Sequence, residues 1–550
     1  MMIKKLKYTA FAASLFFASC SEKLTETNQN PNSPTIVPTP TLLVNAQYRL
    51  VADIRDQWYS GRMALTWSQY WSQANYTEED RYQYRENSNS SSWKKIYTDL
   101  MDLKTITELN TDPATKGSMS AYGKNENQIA VARILKSWTF MLLTETYGPI
   151  PYDSFGSDSP EFQALKAKNG ILNPAYADPK DVYIDILKEL REAADMIDES
   201  AKAFTEGDVI YKGDAAKWKK LANSLILRGA LRIKAAAPDI ANPAITAALA
   251  SGVMTSTDDD ALFHNEATAA NASPFYVAFA VDNRTDFTVS KPFVDLLKGA
   301  VGPFNGVDPR LYYFAAPYDA SAIAATGPAI SKGDYLPSAS DVLGTGKYDP
   351  ANYKGMPYGL ESEYTSKIGP TSVSLPNAPI QATFGNPFMD YAEVCFILSE
   401  LNGWDQTYYE NGVRASMARW GVQTAAADAY VATLPAASQE VVLTQKYIAL
   451  YMQPYNAWAE YRRTGYPKTL IKPGDVSFVD AEGILNKEGD TELGKEYVFT
   501  SLVSDVTDDL PSRVKFANDE PLLNPTGYQS GLKELEGEDK MSTKLWWDVN

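Results

Sequence analysis

The chain has one histidine in 550 residues, His264, and that scarcity excludes more chemistry than any motif supports. An HExxH zinc site and a multi-histidine iron centre need more histidines than the sequence has, a Cys/Zn deaminase centre would need His264 with both cysteines, and a Ser-His-Asp triad would have to be built on His264 itself. His264 follows Asp258, Asp259 and Asp260 in a polar stretch and is expected as a solvated loop residue. Cysteine is nearly as scarce. Cys20 sits near the start, and Cys395 lies in the apolar run Val394 to Leu398, where a small buried hydrophobe is the expected role. No run after residue 20 approaches the roughly 18 uninterrupted apolar residues of a membrane helix. There is no phosphate-binding P-loop, and the acidic runs Asp258 to Asp260 and Asp505 to Asp509 lack the spacing and turn glycine of an EF-hand, so no cofactor and no metal site is expected. Positive charge is also short: 51 Lys and Arg face 68 Asp and Glu, for a net charge of −17, which disfavours a nucleic-acid partner by repulsion.

What is present starts at the N-terminus. Lys4, Lys5 and Lys7 precede an almost uncharged stretch from Tyr8 to Phe17, too short to span a bilayer and shaped like an export signal. Ala18, Ser19 and Cys20 resemble the lipobox of bacterial lipoproteins, with Phe17 where leucine is usual. The resemblance implies that residues 1–19 are a signal peptide and that Cys20 is lipidated as the mature N-terminus. Losing the three signal lysines takes the net charge to −20. Each buried methylene of an acyl chain contributes about 0.8 kcal/mol to anchoring, so the protein is expected to be held on a membrane without spanning it. With Cys20 acylated, Cys395 has no partner for a disulfide. Residues 20–41 are polar and proline-rich and are expected to form a flexible tether.

From residue 42 to 550 a single domain is expected, and its strong periodicities are helical. In Asn127 to Tyr147, Val131, Ile134, Leu135, Trp138, Met141 and Leu142 recur at helical spacing before Gly148 and Pro149 end the run. Asp178 and Pro179 open a helix to Ile197, and Asp214 opens another to Ala236. A fourth is expected from Asn242 and Pro243 to Gly252. Further helices are read at Met389 to Leu401, Gly412 to Trp420, Asp428 to Leu434 and Ser438 to Tyr461, the last kinked or broken at Pro454. Helices arriving in successive pairs predict a mainly α fold, a helix-pair solenoid of tetratricopeptide type, although no consensus repeat is legible. Between residues 256 and 388 the pattern shifts to Gly, Pro, Ser, Asn and Tyr. Residues 333–387 read as loops with short hairpins, and so long an irregular insertion is assigned to the functional face.

The helices carry recognisable strings: Arg133 to Trp138 leading into Tyr147-Gly-Pro-Ile-Pro-Tyr152, Gly213 to Arg228, Tyr391 to Phe396, and Gln445 to Tyr447 with Trp458 to Pro467. Together with the lipobox, these strings resemble the SusD/RagB family of outer-membrane lipoproteins over essentially the whole chain. The resemblance implies about four tetratricopeptide-like helix pairs with a loop-rich ligand face. It also implies a non-enzymatic surface protein that captures a nutrient, usually a glycan and sometimes a peptide, and delivers it to a TonB-dependent transporter of SusC type. The strings have a structural reading of their own: Trp138, Trp218 and Leu221 lie on apolar faces, and Arg462 and Arg463 either complement a helix dipole or pair with carboxylates such as Glu460.

Candidate binding residues come from composition. Trp and Tyr make up 45 of 550 residues, yet residues 58–97 hold ten in forty, a threefold enrichment. Trp58 and Trp67 read as buried supports. Between Trp71 and Trp93 the rings alternate with amides, carboxylates and guanidiniums, so Trp71, Tyr76, Tyr82 and Tyr84 are either a ligand platform, a transporter contact or packing over loops. Arg81 is a clamp candidate, since its planar fork serves two hydroxyls or a carboxylate. Such a mixture suits sugars, whose C–H faces stack on rings while polar side chains satisfy hydroxyls. A second set comes from the irregular region: Asn283 and Arg284 with Asp286, and Tyr358 with Tyr353 and Tyr364. The two sets would have to meet in space.

Three function classes remain at this stage. A capture lipoprotein facing the cell exterior, with an oligosaccharide or oligopeptide as ligand, leads. A surface glycoside hydrolase needs only two carboxylates, and 68 acidic residues make such pairs easy to find. A purely adhesive repeat protein is the third.

Overall fold

Apolar spacing and capping residues decide where helices begin and end. The computed structural model describes residues 36–268, 270–318 and 333–549; Cys20, the signal and most of the tether lie outside them. The first helix, α1 (Thr39–Ile54), starts inside the segment expected as tether, because Leu43, Ala46, Leu50 and Ile54 give it a buried stripe. α2 (Glu86–Thr111) was not anticipated either. Its Trp93, Ile96, Leu100, Leu103 and Ile106 are buried at helical spacing, a pattern that emerges only beyond the aromatic-polar stretch.

The remaining helices follow their signals closely. α3 (Asn125–Tyr147) stops at Gly148, whose φ is 83°. α4 (Pro179–Met196) is capped by Asp178, which accepts from the Lys180 N–H at 2.7 Å. α5 (Ala215–Ile233) is capped by Asp214. Gly213 before it has φ 83°, and a Cβ there would lie 1.9 Å from the Phe204 carbonyl oxygen. α6 (Pro238–Ser251) starts earlier than expected and carries Pro243 inside it, on the exposed face. α7 (Tyr391–Leu401) and α8 (Gln406–Arg419) are capped by Asp390 and Asp405. After α9 (Thr424–Val431), the long segment to Tyr461 is broken rather than kinked: α10 (Gln439–Ala449) and α11 (Pro454–Thr464) are separate, with Met452 at φ 70° between them.

These helices pack in pairs, α1 on α2, α3 on α4, α5 on α6 and α7 on α8. α2 also packs on α3 and α4 on α5, so the first three pairs stack in a row, and α7 lies on α5 and α10. The architecture is the mainly α, tetratricopeptide-like solenoid expected from the sequence. One apolar cluster runs through it from Leu43 to Trp547.

The irregular region is built differently from the hairpins expected there. β1 (Trp71–Gln73), β2 (Ala261–His264), β3 (Phe287–Val289) and β4 (Gly385–Met389) form two antiparallel pairs, β1 with β3 and β2 with β4. Each pair joins segments more than a hundred residues apart. Among the described residues, the one local hairpin is β5 (Val476–Asp480) with β6 (Lys495–Val498), outside the irregular insertion. His264 is exposed, as expected, but ends β2 and is not in a loop; partial burial and Arg419 and Lys212 lower its pKa. Cys395 is a free buried thiol in α7, pushed up to about 12 by burial and therefore unreactive.

Buried ion pairs join the helices. Arg232 of α5 donates to Glu145 of α3 at 3.0 Å and to Glu460 of α11 at 2.7 Å, and Lys446 of α10 lies 3.0 Å from Glu460. Arg463 pairs with Glu460 and, through two 2.7 Å bonds, with Glu400 of α7. Of the two roles read for Arg463, the carboxylate pairing is the one observed. Burial alone would raise the Glu460 pKa, but Arg463, Lys446 and Arg232 together hold it well below the usual carboxylate range. Its stabilisation is thus present above about pH 4 and is lost as pH falls through the depressed folded value. Replacing Glu460 with alanine leaves buried Lys446 without its carboxylate and takes one of two carboxylates from each of Arg232 and Arg463, and is expected to cost about 3–5 kcal/mol in denaturant unfolding at neutral pH. A loss below about 1 kcal/mol would show the pairs to be incidental.

Candidate functional site

The site is assembled from a turn of π-helix, the loop after β1, the start of α2 and the loop before β3. Asp56 caps the π-helical segment Gln57–Ala64 by accepting from the Trp58 and Tyr59 N–H groups at 3.0 and 2.6 Å. Trp58 and Arg62 are four residues apart on it. Arg62 is buried and donates to Glu79 at 3.2 Å and to Asp286 at 2.9 Å. Arg85 donates to the same Glu79 oxygen at 2.8 Å, and Arg284 donates to Asp286 at 3.1 Å. The Ala74 N–H donates to the Asp286 carbonyl at 2.7 Å, continuing the β1–β3 pairing. The aromatic-rich segment and the 284–286 loop, 200 residues apart in sequence, therefore meet.

Trp58 is at their centre. The guanidinium carbons of Arg284, Arg62 and Arg85 lie 4.8, 5.1 and 5.6 Å from its ring centroid, all within cation–π range. The ring is half-buried, and its remaining surface lines an open cavity of about 690 Å³ with Arg85, Asn87, Ser88, Ser91 and Lys95. Tyr76, which is 57% exposed, stands 5.9 Å from the Arg85 guanidinium. Tyr76, Tyr82 and Asn283 hold φ values of 57°, 75° and 52°, so both loops turn through left-handed backbone without glycine. Such strain collects at ligand sites and persists only where surrounding contacts enforce it.

The other candidate rings face inward. Trp71 is fully buried, 4.7 Å from Phe275 and 5.6 Å from Phe287, with its indole N–H on the Tyr451 hydroxyl at 2.9 Å. Tyr82 is buried between Trp67 and Phe499, and Tyr358 is buried on the other edge of Phe499. Tyr84 is 9% exposed, packs edge-on to Trp67 and borders a separate cavity of about 250 Å³. Tyr353 is buried too, and Tyr364 packs on Tyr497. Arg81 turns away from Trp58 to the Thr77 carbonyl and to Glu361 at 3.7 Å. Asn283 is exposed at the tip of its loop. Packing over neighbouring segments, one of the readings open for Trp71, Tyr82 and Tyr84, is where the structure puts them. Trp67 is buried as expected; Trp58, expected beside it, lines the cavity. The missed signal was the i, i+4 spacing of Trp58 and Arg62, which sets a ring beside a cation.

Polar side chains between the rings are buried with them. Asp80 accepts from the Ser72 hydroxyl and the Gln73 N–H, both at 2.8 Å, and folds the loop back on β1. Burial pushes its carboxyl up to about 7. Among the described residues, no three His, Cys, Asp or Glu side chains converge into a metal-binding group.

This fold and this cavity define a helical scaffold protein with a loop-built binding face. A sequence model of the family described as "Starch-binding associating with outer membrane", SusD-like, matches residues 31–482. The chain belongs to that SusD-like family, and it is a binding protein, not an enzyme. Among solved structures, a chitin-binding protein superposes with a TM-score of 0.68 at 24% identity, covering 93% of this chain and all of the other. A chitin-binding SusD homolog from Flavobacterium johnsoniae gives 0.67 at 23%, covering 93% and 98%. A SusD homolog from Parabacteroides distasonis gives 0.66 at 23%, with the same coverages. At such identities these structures speak for the fold. No curated protein matches the chain. No described helix is long and apolar enough to cross a membrane.

Two outcomes test this geometry. Trp71→Ala is expected to cost about 3–5 kcal/mol in denaturant unfolding, and Tyr76→Ala less than about 0.5 kcal/mol. Similar losses for both would contradict the burial described. Because the folded pKa of Asp80 is raised, the folded state holds its proton more tightly and stability drains from this group as pH climbs from about 4 to about 7. Asp80→Asn has no proton to lose, so its stability relative to the parent should rise across that window in pH-series melts. A flat difference would refute the assignment.

Proposed function

We propose that the protein captures a glycan in the Trp58 cavity on the cell exterior and passes it to a SusC-type TonB-dependent transporter, held on the outer membrane by a lipid on Cys20. The observation that carries this reading is the cavity wall itself. An indole offers carbon surface to the C–H face of a pyranose, while Asn87, Ser88, Ser91 and Arg85 around the same opening suit its hydroxyls. Cation–π contacts from three arginines hold the ring in place before any ligand arrives, which lowers the ordering cost of binding. The starch-binding description of the family and the chitin-binding relatives of the same fold support a glycan over a peptide.

The ligand class is tested by a glycan array followed by calorimetry on a recombinant form without the lipid. Trp58→Ala is expected to weaken the best glycan at least tenfold with little change in melting temperature, and the glycan should be recovered uncut. Binding unchanged in Trp58→Ala, or no glycan retained at all, would sink the proposal. For the anchor and partner, Cys20→Ser should move the protein from the membrane to the soluble fraction and end co-purification with a TonB-dependent transporter. Retention on the membrane would rule out the lipid.

A further inference from the structure

A second cavity opens on the other side of α2. Its outer wall is the irregular segment between α3 and α4, which is fastened to three helices at its start. Asp153 is buried and accepts from Lys104 of α2 at 2.9 Å and from Lys136 of α3. The Ser154 hydroxyl and the Phe155 N–H donate to Glu189 of α4 at 3.3 and 3.2 Å. The Ala164 N–H then returns to the Tyr152 carbonyl at 3.0 Å, with Phe162 edge-on to Tyr152. Between this segment and the last turns of α2 lies an open cavity of about 580 Å³. Lys95 lines the Trp58 cavity and Lys104 lines this one; nine residues make about 2.5 turns, so the two cavities are on opposite faces of α2, about 14 Å apart along it.

Phe155 lines this cavity as Trp58 lines the other. The Arg133 guanidinium carbon lies 4.8 Å from its ring centroid, within cation–π range. That guanidinium is buried and held by Glu189 through bonds of 3.0 and 2.9 Å, so the ring is placed before any ligand arrives. The ring itself is half-buried. Around the same opening are Thr107 and Thr111 of α2 and Ser157, Gln163 and Asn169 of the loop. Both threonine hydroxyls donate to carbonyls of their own helix, and the Gln163 amide donates to the Ser159 carbonyl, which leaves their oxygens to accept. Formal charges on the wall cancel: Lys104, Lys136 and Lys166 stand with Glu108, Asp153 and Asp158. What the cavity offers is aromatic carbon surface and uncharged hydrogen-bonding groups, with no charge to select an ion.

We propose that this cavity is a second saccharide subsite, which takes a neutral pyranose unit with its C–H face on Phe155. Such a sugar supplies both halves of the match, carbon-bound hydrogens for the ring and hydroxyl donors for the acceptors around it. The volume is that of an ordinary small-molecule site. Because the ring, its arginine and the polar wall all come from elements other than those of the Trp58 cavity, the proposal does not rest on what that cavity binds.

The test is made in the Trp58→Ala chain without its lipid, so that the second cavity is read alone. The probes are maltohexaose, cellohexaose and N-acetylchitohexaose, followed by saturation-transfer NMR and calorimetry. At least one probe is expected to bind, and adding Phe155→Ala should weaken it at least fivefold. Thr111→Trp adds bulk at the exposed end of α2 and should have the same effect while leaving Phe155 and Arg133 untouched, so a folding defect in Phe155→Ala does not decide the matter. In crystals of Trp58→Ala soaked with the retained probe, a pyranose should lie against Phe155. No binding of any of the three probes, binding that survives both second-cavity changes, or sugar found only elsewhere would overturn the subsite. Failure of the Trp58 reading shows separately, as an affinity that Trp58→Ala alone leaves unchanged from the parent.

Discussion

Arg232 is the point on which the helical stack depends. Its guanidinium is closed to solvent and held by Glu145 of α3 and Glu460 of α11, with Asn456 completing the set at 2.8 Å. Apolar burial stabilises the fold but is non-directional, so leucines and valines alone would tolerate several registers. A buried charge tolerates only the register that gives it its partner. Through Glu460 and Arg463 the same network reaches α10 and α7, and Arg228–Glu393 fastens α5 to α7 a second time. Farther along the stack, Arg133 of α3 binds Glu189 of α4 with two bonds at 3.0 and 2.9 Å.

Most of these charged residues fall in the strings that carried the family resemblance. Arg133, Arg228, Glu393, Glu460 and Arg463 belong to them, as do Trp138, which donates to the Phe388 carbonyl, and Trp218, which donates to Asp208 at 2.8 Å. The strings thus describe how helices are fastened to one another. They stop short of the Trp58 cavity, which is why the resemblance could indicate a binder without indicating which residues bind.

The Trp58 cavity obeys a different logic. Its wall is made by pairing β1 with β3 and by three arginines converging on one indole, contacts that join residues 58–85 to residues 284–289. Of the residues gathered there, Trp58, Tyr76 and Arg85 come from the aromatic-rich segment and Arg284 from the second set. Local composition left open which rings are wet. Gln73, Glu79 and Asp80 are themselves buried, and the rings between them reach partners such as Phe499 and Tyr451 far along the chain.

By itself the sequence determined the helices with strong caps and stripes, the scarcity of histidine and the buried, apolar setting of Cys395. Each of these depends on residues within a few turns of one another or on composition alone. Only the tertiary structure decided that Trp71, Tyr82 and Tyr358 pack the core while Trp58 faces the cavity. Exposure of a side chain is set by what the rest of the chain lays over it, and here those covering residues come from segments 200 to 400 positions away.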